Sequence, residues 1–299
     1  FVLVLLPVRA VEYGGVGGRP ANPRADNPRT DSIFVQTLNP GEKVTEAVKV
    51  INNTDVEKTV LVYVVDSIKS SGGAFACEQM VDAKDDTSAW ISLKKSEVTL
   101  KSGSFENVDF DIVAPKNASV GEHNACIVLQ DKGQGTTAGE GSGVVLTTRS
   151  AIRVLIQVPG EIQKALNLET FAVTQKDSNV YSINAKIKNT GNVSIDADVK
   201  INVRDLFGVV VQTFGGKFSI LREDTTDLNF DFMNTLTGGF YTFDLEVNYD
   251  KNPANSVGAT ENLQNEKLSK SLSYKLINPQ PIGIVLDLAI LALIIAAVT

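Results

Sequence analysis

Alternation of apolar and polar residues with a period of two constrains this fold more than any other feature, and it continues from residue 32 to residue 277. In residues 193–204, Ile195 and Val203 belong to one apolar set separated by charged or polar residues. Such alternation is typical of β-strands with one buried face. Turn-forming clusters separate these runs about every ten residues, which favours a β-sandwich. We therefore predict an all-β fold.

Two similar turns indicate that one structural unit is used twice. Residues 52–55 read Asn-Asn-Thr-Asp and residues 189–192 read Asn-Thr-Gly-Asn, and each follows an alternating run. Asn, Asp and Gly tolerate positive φ, and Asn and Asp side chains bond their own turns. The spacing predicts two tandem immunoglobulin-like β-sandwiches, domain 1 at 31–160 and domain 2 at 161–278, with Pro159-Gly160 at the boundary.

The first thirty residues predict a processed start and a linker. Residues 1–10, FVLVLLPVRA, have the character of the end of a secretory signal peptide; the alternative is a first β-strand. Residues 11–30 are rich in Gly and Pro and have little apolar surface to bury, which predicts a flexible leader.

The last segment, 279–299, predicts a truncated transmembrane helix. Its apolar part, 282–299, would be roughly 27 Å long as a helix, close to the hydrocarbon thickness of a bilayer. The alternative is a buried core helix. Asp287 would pair with a partner helix or lie near the membrane interface. The expected location is a single-pass position in the cell membrane, with most of the chain outside the cytoplasm.

Cys77 and Cys126 are the two cysteines of the chain. In an oxidising compartment they are candidates for a disulfide, and the alternative is two buried thiols. In the chain-entropy description, closing such a loop would stabilise the fold by roughly 3–4 kcal/mol.

The residue inventory argues against catalysis, cofactors and metals. His123 is the only histidine, so a catalytic triad or a zinc site would have to use it; a strand-end histidine without chemistry is the simpler reading. The Gly-rich stretch 132–143 lacks the Gly-Lys-Ser/Thr ending of a phosphate loop. The net charge of −7 and the lack of basic runs argue against nucleic acid.

Three further features have both a functional and a structural interpretation. Trp90 would be either a sugar-stacking platform or a core tryptophan. The acidic clusters would be either loose Ca²⁺ sites or solvated surface. The N-x-S/T sequons would be either glycosylation sites or chance occurrences. The acidic clusters are Asp82, Asp85 and Asp86, and Glu223, Asp224 and Asp227; the sequons start at Asn52, Asn117 and Asn192.

An ordered series of short motifs resembles the WxL-interacting proteins of Gram-positive cell surfaces. The series covers about 240 residues, and its order is a stronger signal than any one motif. Its members are Gly41-Glu42, residues 48–54 and 63–66, Trp90-Ile91, residues 98–103 and 110–115, residues 121–123 and 149–153, and, in the second half, residues 187–193 and 205–208. The two cysteines and the polar stretch around Cys77 depart from this family.

The resemblance implies a peptidoglycan-binding first domain and a second domain that contacts partner proteins. We therefore expect a non-enzymatic, membrane-anchored cell-surface binding protein, with cell-wall polymer or surface proteins as partners and the membrane engaged through the C-terminal helix. The alternative is a structural spacer or a subunit of a larger membrane-associated complex.

Overall fold

The computed structural model describes residues 15–69, 75–80, 86–133, 149–177, 180–233, 240–275 and 281–298. Contacts divide the described chain into two compact units. The first holds the residues up to 161 together with 256–261, and the second holds 162–255 and the residues from 262 onward. Each unit is built from antiparallel sheets, apart from one parallel pair in the first, so the predicted all-β, sandwich-type fold is confirmed.

The described residues of the first unit contain ten strands. They are β1 (Val16–Pro20), β2 (Phe34–Thr37), β3 (Lys43–Asn52), β4 (Lys58–Lys69), β5 (Phe75–Cys77), β6 (Ile91–Leu93), β7 (Glu97–Leu100), β8 (Phe105–Val113), β9 (Gly121–Asp131) and β10 (Arg149–Val158). One sheet has the order β1-β3-β8-β6; the other has the order β2-β10-β9-β4-β5, with β7 beside β4. The inward side chains of both sheets, among them Val48, Phe110, Ile127 and Ile156, form one buried core.

The stretch predicted as a flexible leader contributes a strand instead. Residues Val16–Pro20 pair with β3, and Val16 is buried. Gly18 explains why a Gly-rich segment fits there. A Cβ at this position would lie 2.8 Å from the carbonyl oxygen of Lys49 and 2.4 Å from Leu129, so the close approach excludes any side chain. The signal-peptide prediction for residues 1–10 lies outside the described residues.

In the second unit, the part of the chain that the structure describes contains seven strands. They are β11 (Leu166–Asp177), β12 (Val180–Asn189), β13 (Ile195–Arg204), β14 (Val210–Ile220), β15 (Thr225–Met233), β16 (Phe240–Asp250) and β17 (Asn265–Lys275). The sheets have the orders β11-β12-β15 and β14-β13-β16-β17. Their inward residues, such as Ile183, Ile201 and Phe243, form a second core that is separate from the first.

One helix, α1 (Pro281–Val298), follows the strands. The prediction of a transmembrane helix at 279–299 is wrong, because no helix in the described part of the chain is long and apolar enough to cross a bilayer. The predicted single-pass location in the cell membrane is wrong for the same reason.

Candidate functional site

A run of exposed apolar side chains lies at the turn between β13 and β14. Leu206, Phe207, Val209, Val210 and Val211 are each 39–59% exposed. Scattered apolar residues are normal on a protein surface, whereas a contiguous set marks an interaction site. We name residues 206–211 the apolar hairpin.

The apolar hairpin is held in one conformation by polar contacts at its base. The Oδ1 atom of Asp205 accepts hydrogen bonds from the backbone N–H groups of Phe207, at 3.0 Å, and Val209, at 2.9 Å. Gly208 has φ +77°, a left-handed conformation that favours glycine. The exposed side chains are therefore presented by an ordered turn.

A second set of hydrogen bonds joins the turn to β16. The Arg204 guanidinium donates to the carbonyl of Gly208 at 3.1 Å and, through Nε, to Asp244 on β16 at 2.7 Å. The hydrogen bond from Ser271 and the Arg204 guanidinium lower the pKa of Asp244 below its ordinary value. Asp244 is thus held as a carboxylate that fixes Arg204 under the hairpin.

The apolar hairpin continues into a sheet edge. In the described ladders β14 pairs with β13 alone, at registers from Val210 to Ile220. A bulge at Val211 gives β14 one extra residue there, so that Val210 and Val211 are both exposed. From Gln212 onward the ladder is regular for nine residues. An open edge of this length offers a row of backbone donors and acceptors to another chain.

The other three edges of this unit carry the usual defences against such pairing. Two register irregularities interrupt β11, acidic Asp227 and Asp231 lie on β15, and Lys267 and Lys270 lie on β17. In contrast, β14 carries one charged residue, Lys217, and two glycines. Among the described sheet edges of the second unit, β14 is therefore the one best suited to accept a strand.

In the first unit, Cys77 and Cys126 form a disulfide. It fixes β5 over the outer face of the sheet that contains β9, where Phe75 and Cys77 pack against buried Cys126 and Val128. Beyond the strand, Arg149 donates to the Glu78 carbonyl at 3.3 Å. The described arm, residues 75–80, thus covers an apolar face that would otherwise meet water.

The same face contains a buried ion pair. Arg153 Nη2 lies 2.7 Å from Glu122 Oε1, and the two side chains are 6% and 2% exposed. Asn124 accepts from Arg153 Nε at 2.8 Å and donates to Glu122 at 2.6 Å, and the Arg153 guanidinium stacks on Phe75 at 4.7 Å. This network is enclosed by protein, which suits a structural role.

The histidine and tryptophan singled out in the sequence lie together. Their rings are 4.5 Å apart, and Nε2 of His123 is 2.8 Å from the carbonyl of Ser119. The Ser119 hydroxyl lies 3.4 Å from the same nitrogen, which is long for a nucleophile–base contact. Trp90 packs against the first core, as the structural interpretation expects.

The remaining candidates are dispersed. Asn52 of the first sequon is fully buried. Asp82 and Asp85 lie outside the described residues. Within the described ranges, no group of three or more metal-ligating side chains lies together.

No known protein family matches the chain, and no curated protein matches it. The solved structures similar to it include the class 5 fimbrial chaperone CfaA, which is 12% identical with a TM-score of 0.41 over 79% of this chain and 96% of that one. The CsuC–CsuE chaperone–tip adhesion subunit complex of Acinetobacter baumannii is 10% identical, with a TM-score of 0.42 over 79% of this chain and 94% of that one. The Salmonella enterica SafA pilin–SafB chaperone complex is 10% identical, with a TM-score of 0.41 over 89% of this chain and 99% of that one. At these scores the likeness carries no argument about function.

The resemblance to WxL-interacting proteins is wrong. No family model matches the sequence, that of the WxL-interacting proteins included. Peptidoglycan and cell-surface proteins were expected as partners from that resemblance alone, so these predictions are wrong too. Membrane attachment, the spacer role and the membrane-complex role depended on the C-terminal anchor, which the structure contradicts.

Residues 205–208 were assigned to a family motif, and the apolar hairpin was not predicted as a site. The available signal was a break in the period of two. Residues 206–211 read Leu-Phe-Gly-Val-Val-Val, an unbroken apolar run at a turn, where polar residues are the rule.

Proposed function

We propose that this chain is a non-enzymatic polypeptide-binding protein that adds an extended segment of a partner protein to the edge of β14. The observation that carries the proposal is the continuity of five exposed apolar side chains with an open strand edge. In strand addition, backbone hydrogen bonds supply affinity and side-chain contacts supply specificity. The edge of β14 offers the first and the apolar hairpin offers the second.

The ordered base of the hairpin favours binding. Asp205, Arg204 and Asp244 hold the turn before a partner arrives, so little conformational entropy is lost on association. A partner strand would cover Val210 and Val211, which face water in the free chain.

Two of the similar structures are described as complexes of a chaperone with a pilin or a tip adhesion subunit. Those partners belong to those proteins. The proposal for this chain rests on β14 and the apolar hairpin.

A selection experiment tests the proposal. The full chain is used to select binders from a random twelve-residue peptide library, and hydrogen exchange of the chain is measured with and without each selected peptide. We expect the peptides to slow exchange in residues 210–220. Selection of no peptide, or protection confined to other segments, would show that β14 is not a binding edge.

A further inference from the structure

The inner face of β14 has a gap at Gly216. Gly216 lies opposite the core residue Val199, so this position points toward the sandwich interior, yet it is exposed. The neighbours on the same face, Phe214 and Phe218, are half-buried and pack against the second core. Their rings lie 5.9 and 6.3 Å from the ring of Phe230. We name the space at Gly216 the aromatic notch.

A side chain attached at Gly216 would begin without a clash. A Cβ built on Gly216 would meet the ring of Phe218 alone among the described side chains, at 3.7 and 3.8 Å, which is ordinary van der Waals contact. A strand added to β14 would run about 4.8 Å away, and its inward residue opposite Gly216 would lie over this exposed glycine, beside the half-buried rings of Phe214 and Phe218. Aromatic side chains on a neighbouring strand stabilise edge glycines in this way.

The outer face of β14 indicates the charge of the partner. Lys217 and Lys200 are exposed on that face. Lys200 lies opposite Gly215, which has no side chain, on β14 and opposite Glu246 on β16, and Glu246 pairs with Lys267. The ion pairs found across the described second unit include neither lysine. Asp198 lies opposite Lys217 on the inner strand β13, leaving the open side of Lys217 toward an added strand. An acidic residue there would complement these lysines.

We infer that the partner segment carries an aromatic residue next to an acidic one. Successive residues of a strand point to opposite faces, so the aromatic side chain enters the notch while its acidic neighbour meets Lys217 and Lys200. This inference rests on the proposed function, because it presupposes strand addition at β14. It names one occupant, an extended segment of a partner protein with adjacent aromatic and acidic residues.

A set of three probes tests the inference. The host is a nine-residue peptide of alternating threonine and valine, with alternate backbone nitrogens methylated so that it pairs along one edge. The probes carry Asp-Phe, Asp-Ala or Lys-Phe at the centre. Fluorescence anisotropy measures their affinity for the full chain. We expect the Asp-Phe probe to bind at least tenfold more tightly than the Asp-Ala probe, since a buried phenylalanine contributes about that much.

Two substitutions in the chain complete the test. Gly216→Val fills the notch and should weaken binding of the Asp-Phe probe about tenfold, while the affinity of the Asp-Ala probe stays within twofold. Gly216→Ala is the smaller variant if valine disturbs folding. Lys217→Glu should reverse the preference between the Asp-Phe and Lys-Phe probes. The wild type should bind the Asp-Phe probe about two- to fivefold more tightly than the Lys-Phe probe, and the variant should show the opposite order.

The outcomes separate the inference from the proposed function. If the Asp-Phe and Asp-Ala probes bind equally and Gly216→Val changes neither, the notch is not a specificity site, although strand addition stands. If no probe binds and none slows hydrogen exchange in residues 212–220, strand addition fails and the inference fails with it. An unchanged charge preference in Lys217→Glu would overturn the acidic part of the inference.

Discussion

Asn52 and Asn189 perform the same task in the two units. Each ends a strand, each is fully buried, and each accepts the N–H of the residue two positions later, Thr54 at 3.0 Å and Gly191 at 2.9 Å. Each also donates to the carbonyl four positions later at 2.8 Å and to a carbonyl at the end of another strand, Leu100 or Ile220, at 3.0 Å. The asparagine side chain thus closes its own turn and ties it to a second strand.

Replacing either asparagine should be costly. Asn189→Ala removes a donor to two buried carbonyls and an acceptor for one N–H, so we expect the unfolding free energy of the second unit to fall by about 2–4 kcal/mol. Urea unfolding followed by circular dichroism measures the change. The exposed Asn229→Ala is the control and should stay within about 0.5 kcal/mol. A loss at Asn189 no larger than the control's would contradict this account.

The recurrence of this turn shows which features a sequence reveals. The turns at 52–55 and 189–192 are local, because an asparagine bonds groups two and four residues away, and the alternating strands have one wet face and one buried face. Their positions could therefore be predicted.

The misread segments depend on contacts that are distant in the chain. The strand at Val16–Pro20 forms because β3 pairs with it, and nothing in its own Gly-rich composition favours a strand. The edge at β14 becomes distinctive only once its pairing with β13 and the defences of the other three edges are known. The prediction of a C-terminal transmembrane helix rested on hydropathy, and no helix in the described part of the chain is long and apolar enough to cross a bilayer.

Reduction of the Cys77–Cys126 disulfide should destabilise the first unit. The bond links residues 49 apart, and the chain-entropy description gives about 4 kcal/mol for such a loop. Trp90, the only tryptophan, lies in this unit, so its fluorescence follows urea unfolding there. Cys77→Ser should shift the curve as reductant does, and reductant should add nothing to the variant. Two free thiols in the native oxidised protein would contradict the bond.

Breaking the buried ion pair should cost more than removing both partners. Glu122→Ala leaves the Arg153 guanidinium buried without its carboxylate, which should lower the unfolding free energy by about 3–5 kcal/mol. Joint replacement by Glu122→Leu and Arg153→Met should recover most of this loss, because no buried charge remains. Trp90 fluorescence in urea reports both variants. Glu106→Ala removes a more exposed pair with Lys95 and serves as the control.

Asp111 should make the first unit sensitive to acid. Hydrogen bonds from Lys94, Thr45 and Lys43 lower its pKa far below the ordinary 3.8. A carboxyl with a lowered pKa in the folded state contributes stability above its ordinary pKa, and this contribution is lost as the pH falls below that value. Asp111→Asn should be less stable at pH 7, and its unfolding below pH 4 should take up about one proton fewer than that of the wild type. Denaturant unfolding at each pH, followed by Trp90 fluorescence, gives the slope of the unfolding free energy against pH and thus the proton uptake. The exposed Asp109→Asn variant is the control.

Removing apolar surface from the hairpin should abolish binding without unfolding the protein. We would combine Leu206→Ser, Phe207→Ser and Val210→Ser, because these side chains face water and pack little in the free chain. The matched control combines Leu263→Ser, Phe105→Ser and Val113→Ser, which have similar exposures of 47%, 57% and 44%. Both variants should have an unfolding free energy within about 1.5 kcal/mol of that of the wild type, since surface substitutions cost about 0.5 kcal/mol each.

Peptides selected on the full chain should bind the hairpin variant at least tenfold more weakly than the wild type and the control variant within twofold, because only the hairpin variant loses the apolar contacts beside β14. Equal binding to both variants would show that the exposed run at residues 206–211 takes no part in recognition.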